Sequence, residues 1–405
     1  MATEKLEKII TASLAALAQK GTLKGSEKII CGMKPAGNGF GERYFLEGYG
    51  GKQFLRMNSN SYLGLSTNRR VIEAEDAAAK TFGTGPGAVR FISGTYLPHV
   101  ELEKKLAAFH GREAAMIFSA AYAAVMGVLP ALISDETIVV SDALNHNSII
   151  NAIRLARPAG KLVYRHLDME DFEEKLQSTV GKGKRVIVVT DGIFSMRGDH
   201  VPLQTLSPIC QRYENKFPEG IITVVDDSHG VGAFGHTGRG TEEYAGARAD
   251  ILIATLGKAL GVNGGYVAAS AKLIGFLRET APFYIYSNSI TPSEAAAAIQ
   301  SLEILDSIEG KSLLKAMRRL VKRLEEGLIS LGYEVIESEH PIVPLLLRDT
   351  EKTGKLVEYL FEHAVLATGL KFPVVPKGDE EIRFQVSAGH TEKDIDSVLD
   401  VLREF

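Results

Sequence analysis

Seven short apolar runs recur along the middle of the chain, at residues 115–118, 137–140, 162–164, 185–189, 221–225, 251–254 and 266–268. Most are separated by longer stretches of helical character. The runs are continuous rather than alternating: Val186-Ile-Val-Val189 and Ile221-Ile-Thr-Val-Val225 offer no polar face. A strand of that kind must be covered on both sides, and helices returning between successive strands supply the cover. The sequence therefore predicts an α/β fold around a mainly parallel seven-stranded sheet. Polar residues gather just beyond these runs, as Asn145-His146, Asp191 with Ser195, Asp226 with His229, and Thr255 with Lys258. Open sheets of this type bind ligands outside the carboxyl ends of their strands. Four strands thus direct chemistry to one edge.

Two of those ends carry a specific pairing. The run 251–254 leads through Thr255-Leu-Gly to Lys258 and then into Gly261 and Gly264-Gly265, while the run 221–225 ends in Asp226-Asp-Ser-His229. Alone, a lysine after a strand is usually a solvated charge. A lysine able to form a Schiff base, facing a carboxylate able to hold a pyridinium proton, is what pyridoxal 5′-phosphate (PLP) requires of a protein. His229 is then placed to meet the phenolic oxygen of the cofactor, and His146 to stack on its ring. The junction from strand to helix around Ala121 and Tyr122 offers helix N–H groups to a phosphate, Tyr122 could stack on the ring, and Thr255 and Ser287-Asn288 could add donors. Arg383, within a predicted strand of the last third, has the planar fork that grips a carboxylate. Arg90 is a second candidate, read as structural.

Gly230-Val-Gly-Ala-Phe-Gly235 matches the dinucleotide pattern GxGxxG. That pattern belongs directly between a strand and a helix. Here Asp226-Asp-Ser-His intervenes and Gly238-Arg-Gly240 follows, so the glycines are read as a loop under the cofactor.

Around this sheet the chain divides into an amino-terminal arm and hairpin (1–57), a cofactor-binding large domain (58–291) and a smaller α/β domain (292–405). Leu6, Ile9, Ile10, Leu14 and Leu17 share one helical face in the arm, and residues 42–57, broken by Gly48-Tyr-Gly-Gly51, predict a hairpin. The last domain is expected to hold one long helical region from Pro292 to about Leu331, strands near 335, 342–347 and 382–386, and helices at 352–364 and from Thr391. The net charge of −4, with no basic block, excludes an electrostatic nucleic-acid partner. No apolar run approaches the ~18 residues of a membrane span. No metal site is expected. Cys31 and Cys210 are read as reduced, buried thiols, and the expected location is the cytoplasm.

Together these motifs resemble the α-oxoamine synthases, PLP enzymes of the aspartate-aminotransferase fold. The resemblance extends from Asn60-Ser-Tyr-Leu-Gly-Leu65 to Ser387-Ala-Gly-His-Thr391 and is carried by Val89-Arg-Phe-Ile-Ser-Gly-Thr95, Ser141-Asp-Ala-Leu-Asn-His146, Thr190-Asp-Gly-Ile-Phe-Ser-Met196, Val225-Asp-Asp-Ser-His229, Thr255-Leu-Gly-Lys-Ala259, Tyr286-Ser-Asn-Ser289 and Phe372-Pro-Val-Val-Pro-Lys-Gly378. The segments at 90–95, 286–289 and 372–378 favour the glycine C-acetyltransferase branch over the biotin and sphingolipid branches. The resemblance implies that Lys258 is the Schiff-base lysine and proton carrier, that Asp226 pairs the pyridine nitrogen, that His146 stacks on the ring, and that Ser195 and His229 contact the phenolic oxygen. It implies Thr255 at the phosphate with Ser287 and Asn288 from a partner subunit, Asn60 and Arg383 at the amino-acid carboxylate, and a homodimer with its sites at the interface. The implied reaction joins a small amino acid, glycine first, to an acyl-CoA, acetyl-CoA first. A longer acyl donor, or an aminotransferase or decarboxylase using the same core, stands as an alternative. The chain departs from the family pattern at Ala121-Tyr122, Val125 and Arg197, which leaves the acyl donor open.

Overall fold

The computed structural model describes residues 2–20, 23, 25–372 and 375–405. Pro373 and Val374, inside one of the resemblance segments, lie outside the described residues. The seven runs form one seven-stranded sheet in the order Ala114–Phe118, Gly265–Ala269, Ile251–Thr255, Ile221–Asp226, Arg185–Asp191, Thr137–Asp142 and Gly160–Tyr164. Gly265–Ala269 runs antiparallel to both its neighbours, and the other pairings are parallel. Side chains on both faces are buried, with Val186 and Val188 packed in one cluster and Ile187 and Val189 in another. That two-sided burial is why these strands have no polar face.

Several strands run past their expected ends, so Asp142, Asp191, Asp226 and Thr255 are final strand residues rather than loop residues. Register explains the difference. Asp191 lies opposite Asp226, and Asp142 opposite Tyr164, so backbone pairing continues through the polar residue. The strand pattern stops one or two residues too early because it counts only apolar side chains, whereas the ladder needs only backbone groups.

The predicted hairpin survives as one bridge. Tyr44 and Phe54 exchange two backbone hydrogen bonds of 2.9 Å, but Arg43–Leu46 pairs mainly with Ile30–Lys34, and Leu55–Arg56 pairs in parallel with Val365–Leu366. Leu55 and Met57 are accordingly buried in the core of the carboxyl-terminal sheet. Cys210 is buried, but Cys31 is exposed, which corrects the reading of both as interior thiols. Cys31 sits on Ile30–Lys34, a mostly exposed strand of a two-stranded sheet.

The expected single helical region after Pro292 is two helices, Pro292–Leu305 and Ile308–Ser330. Ser307 breaks it, because its side chain accepts the N–H groups of Glu309 and Gly310 and so starts a new helix. The carboxyl-terminal part of the chain forms an antiparallel sheet in the order Glu334–Val335, Ile342–Leu346, Glu381–Gln385 and Thr368–Leu370. Helices Ile308–Ser330, Thr350–Glu362 and Glu392–Arg403 bury their apolar faces on it. The helix Ala2–Gln19 leaves Leu6, Ile9, Ile10, Leu14 and Leu17 exposed. Among the described residues no helix is long and apolar enough to cross a membrane.

Candidate active site

At the carboxyl edge of the large sheet a cavity of about 240 Å³ is lined by Ala121, Tyr122, His146, Ser195, Asp226, His229, Thr255 and Lys258, together with Ala120, Ser148, Asp191, Ile193 and Ser228. The residues singled out on four strands and one helix start therefore share one space. Asn60, Arg383, Ser287 and Asn288 do not line it.

Asp226 ends its strand 6% exposed, and its Oδ1 accepts from the backbone and hydroxyl of Ser228, at 3.1 and 2.5 Å. The turn formed by Ser228 thus holds the carboxylate and leaves Oδ2 without a protein partner among the described residues. Across the cavity Lys258 follows Ile251–Thr255 by a short turn in which the Gly257 N–H donates to Thr255 Oγ1 at 3.0 Å. Burial lowers the lysine to about 8, against the opposing pull of Asp226 and Asp191. Near neutral pH a usable fraction of its amine is therefore unprotonated. Asp191 is pushed well above the usual carboxylate range, first by burial and then by Asp226 in the adjacent strand. It accepts from the His146 N–H at 2.9 Å and so fixes the loop that carries that histidine.

His146 caps the helix Asn147–Ala156, with Nδ1 2.7 Å from Ser148 Oγ, and burial holds it below its usual value. Tyr122 meets its ring edge-on at 6.2 Å, and the Tyr122 hydroxyl donates to Asn147 at 3.0 Å. His229 is buried and held well below its ordinary value by burial and by nearby cations, Lys258 first.

The helix Ala121–Leu132 begins at this cavity without a side-chain cap. Its first N–H groups have no intrahelical partner, which suits an anion. Gly265 opposes this helix start so closely that a Cβ there would lie 2.2 Å from Ala121 N. The strand can pass beneath the helix start only because residue 265 has no side chain.

Arg383 stands behind one wall: its Nη1 donates to the Ser195 carbonyl at 2.6 Å, and its Nε is buried without a partner among the described residues. Asn60 lies deeper, its Oδ1 contacted by Gln385 Nε2 and by the Tyr62 hydroxyl. Ser287 and Asn288 lie outside the cavity, beside the exposed Tyr286. Arg90 is committed elsewhere, in a buried two-pronged pair with Glu103 at 3.1 and 3.2 Å. Two departures expected to alter the site lining do not reach it. Val125 is fully buried in the core beneath the sheet, and Arg197 pairs with Asp199 at 2.8 Å. Of the glycines in the GxGxxG match only Gly230 abuts Asp227, whose Oδ1 would lie 2.1 Å from a Cβ there; Gly232 faces Ala259 and Gly235 faces Glu243, and turns rather than a helix follow them.

Sequence reasoning missed Ala120, Ser148, Ile193 and Ser228 as lining residues and treated Asp191 only as a polar strand end. The spacing of Ser228, two residues after Asp226, is the signature of a side-chain turn and could have marked it. Nothing local marks Ile193.

Residues 52–402 match the family described as aminotransferase class I and II. An 8-amino-7-oxononanoate synthase of Bacillus velezensis is 39% identical over 355 residues, 87% of this chain and 88% of that protein. The mitochondrial 2-amino-3-ketobutyrate coenzyme A ligase of Homo sapiens is 37% identical over 406 residues, 100% of this chain and 93% of its own length. A solved serine palmitoyltransferase carrying its PLP internal aldimine superimposes with a TM-score of 0.88 at 25% identity, covering 99% of this chain and 97% of that one.

Proposed function

The chain belongs to the aminotransferase class I and II family, and within it to the α-oxoamine synthases, and on that premise we propose that it joins glycine to acetyl-CoA, giving 2-amino-3-oxobutyrate and CoA. The observation favouring this pair is the match to the 2-amino-3-ketobutyrate ligase, which includes the arm helix and spans the whole chain. The 8-amino-7-oxononanoate synthase match covers 87% of it. Longer acyl donors, of the kind such a synthase or a serine palmitoyltransferase uses, form the second reading.

The cavity fits PLP by the chemistry of its donors. The uncapped start of Ala121–Leu132 and the Thr255 hydroxyl would take the phosphate, Asp226 Oδ2 the pyridine nitrogen, His229 the phenolic oxygen, and Lys258 Nζ the carbonyl carbon. Bound there, PLP supplies a protonated ring that accepts the electron pair released at the amino-acid α-carbon.

The chain's own groups do the rest. Lys258 Nζ, lowered to about 8 by burial, is matched to taking and returning the α-proton near neutral pH. Asp226 would meet the ring nitrogen through Oδ2, because Ser228 holds Oδ1 by its backbone N–H and its hydroxyl. His146 restrains the open face. Arg383 would hold the substrate carboxylate, with Asn60 behind it. Exposed Ile9, Phe91, Ile92 and Tyr286 support a homodimer in which Ser287 and Asn288 reach the partner's site.

A panel of acetyl-, octanoyl- and palmitoyl-CoA against glycine, alanine and serine, read as free thiol release, tests the substrate pair. Acetyl-CoA with glycine is expected to give the highest kcat/KM. Each buried methylene is worth up to ~0.8 kcal/mol, so a site built for long chains would show itself plainly. A tenfold preference for octanoyl- or palmitoyl-CoA would replace acetyl transfer by the second reading. Arg383→Lys is expected to raise the glycine KM, because an ammonium cannot reproduce the two-pronged fork. The loss is about 1.5–3 kcal/mol, roughly one to two decades in kcat/KM. An unchanged KM for glycine would assign the carboxylate to another cation.

A further inference from the structure

His229 is held from behind by two residues that do not line the cavity. The Tyr62 hydroxyl lies 2.7 Å from its Nδ1, and His340 Nε2 lies 2.9 Å from its backbone carbonyl. The hydrogen on His340 is determined by its neighbours. The Ile342 N–H donates to His340 Nδ1 at 3.2 Å, so the ring proton is on Nε2 and is donated to the His229 carbonyl. Tyr62 and His340 are both fully buried and meet edge to face at 5.3 Å. The backbone and the ring of His229 therefore have little freedom.

The proton on His229 follows from a count. Tyr62 has one hydroxyl hydrogen and two acceptors in reach, His229 Nδ1 at 2.7 Å and Asn60 Oδ1 at 3.2 Å. Asn60 Oδ1 also accepts from Gln385 Nε2, so it does not depend on Tyr62 for a donor, and the distance that is shorter by 0.5 Å assigns the hydroxyl hydrogen to the imidazole. Turning both amides over would make Asn60 a donor to the Tyr62 oxygen and leave the same hydrogen for His229. Burial holds the imidazole neutral and raises the phenol far above its usual range. A neutral ring that accepts at Nδ1 carries its proton on Nε2. That nitrogen has no partner among the described residues.

We propose that Tyr62 is a positioning residue that locks His229 in the Nε2–H tautomer, so that the ring presents a hydrogen-bond donor to the cavity. This rests on the reading of His229 as the contact to the phenolic oxygen of PLP. There a donor stabilises an anionic oxygen, and a bare lone pair would repel it. Tyr62 touches neither substrate nor cofactor in this scheme and acts only through the histidine.

The test is the tautomer itself. Full-length protein labelled with ¹⁵N-histidine is read by long-range ¹H–¹⁵N correlation without PLP, and the His229 signals are identified by their loss in His229→Asn. The wild type is expected to show the Nε2–H form in large excess. Tyr62→Phe, which keeps the buried ring and removes only the hydroxyl, is expected to abolish that excess and to weaken PLP binding about tenfold. A wild-type protein in the Nδ1–H form overturns the proposal without any variant, and so does an unchanged tautomer ratio in Tyr62→Phe. If the ratio changes while PLP affinity does not, the lock stands and the placement of His229 at the phenolic oxygen falls.

Discussion

Replacing Lys258 by alanine is expected to lower turnover by at least ~10⁴, the upper range for losing one positioned acid–base group. PLP should remain bound but no longer covalently held. Lys258 is the only lysine among the described residues lining the cavity, and burial has already brought its amine to about 8. The nearby Arg383 cannot substitute, because it does not line the cavity and its Nη1 is tied to the Ser195 carbonyl. The companion measurement on the wild type is borohydride reduction followed by peptide mapping, with the pyridoxyl mass expected on Lys258. The same mass on another lysine, or an alanine variant within tenfold of wild-type turnover, would remove this residue from the centre of the site.

Asp226→Asn is the second large effect. The amide can still accept from Ser228, so the turn at the strand end should persist and PLP affinity should change little. On the proposed function, the variant would lack the carboxylate that would hold the pyridine nitrogen protonated, and with it the electron sink. Exchange of the glycine α-hydrogens with solvent deuterium, followed by NMR without any CoA ester, is expected to slow by roughly 10³, comparable to removing a preorganised electrostatic stabiliser. Asp191 supplies the internal control. Its carboxyl is raised by burial and by Asp226 beside it, so removing that charge makes Asp191 easier to ionise. Exchange close to the wild-type rate would mean that Asp191, one strand over, holds the ring nitrogen.

Much of this site was legible because its parts are local. Lys258 and Asp226 are each a polar residue at the end of an apolar run, and both identity and position follow from a few neighbouring residues. The uncapped helix start at Ala121 is local too. The hairpin was misjudged for the opposite reason. Residues 42–57 do turn back on themselves, but Leu55–Arg56 finds its main partner in Val365–Leu366, more than three hundred positions away. The pattern within the segment carries no trace of that competitor. Val125 and Arg197 likewise depart from the family motif, yet burial beneath the sheet and an ion pair with Asp199 keep them off the cavity wall.

The sequence by itself determined the α/β class, the seven strands, the edge at which chemistry gathers, and the lysine and carboxylate that define it. These depend on periodicity and residue type, which act over a handful of positions. Tertiary structure alone decided that Asp191 stands beside Asp226, that Lys258 is buried enough to lose part of its charge, that Cys31 is exposed, and that Tyr62 reaches across 167 positions to the imidazole of His229. Each depends on cross-strand register or on the exclusion of water. Those are properties of the packed chain, because the dielectric around a group and the neighbour opposite it exist only once distant segments have met.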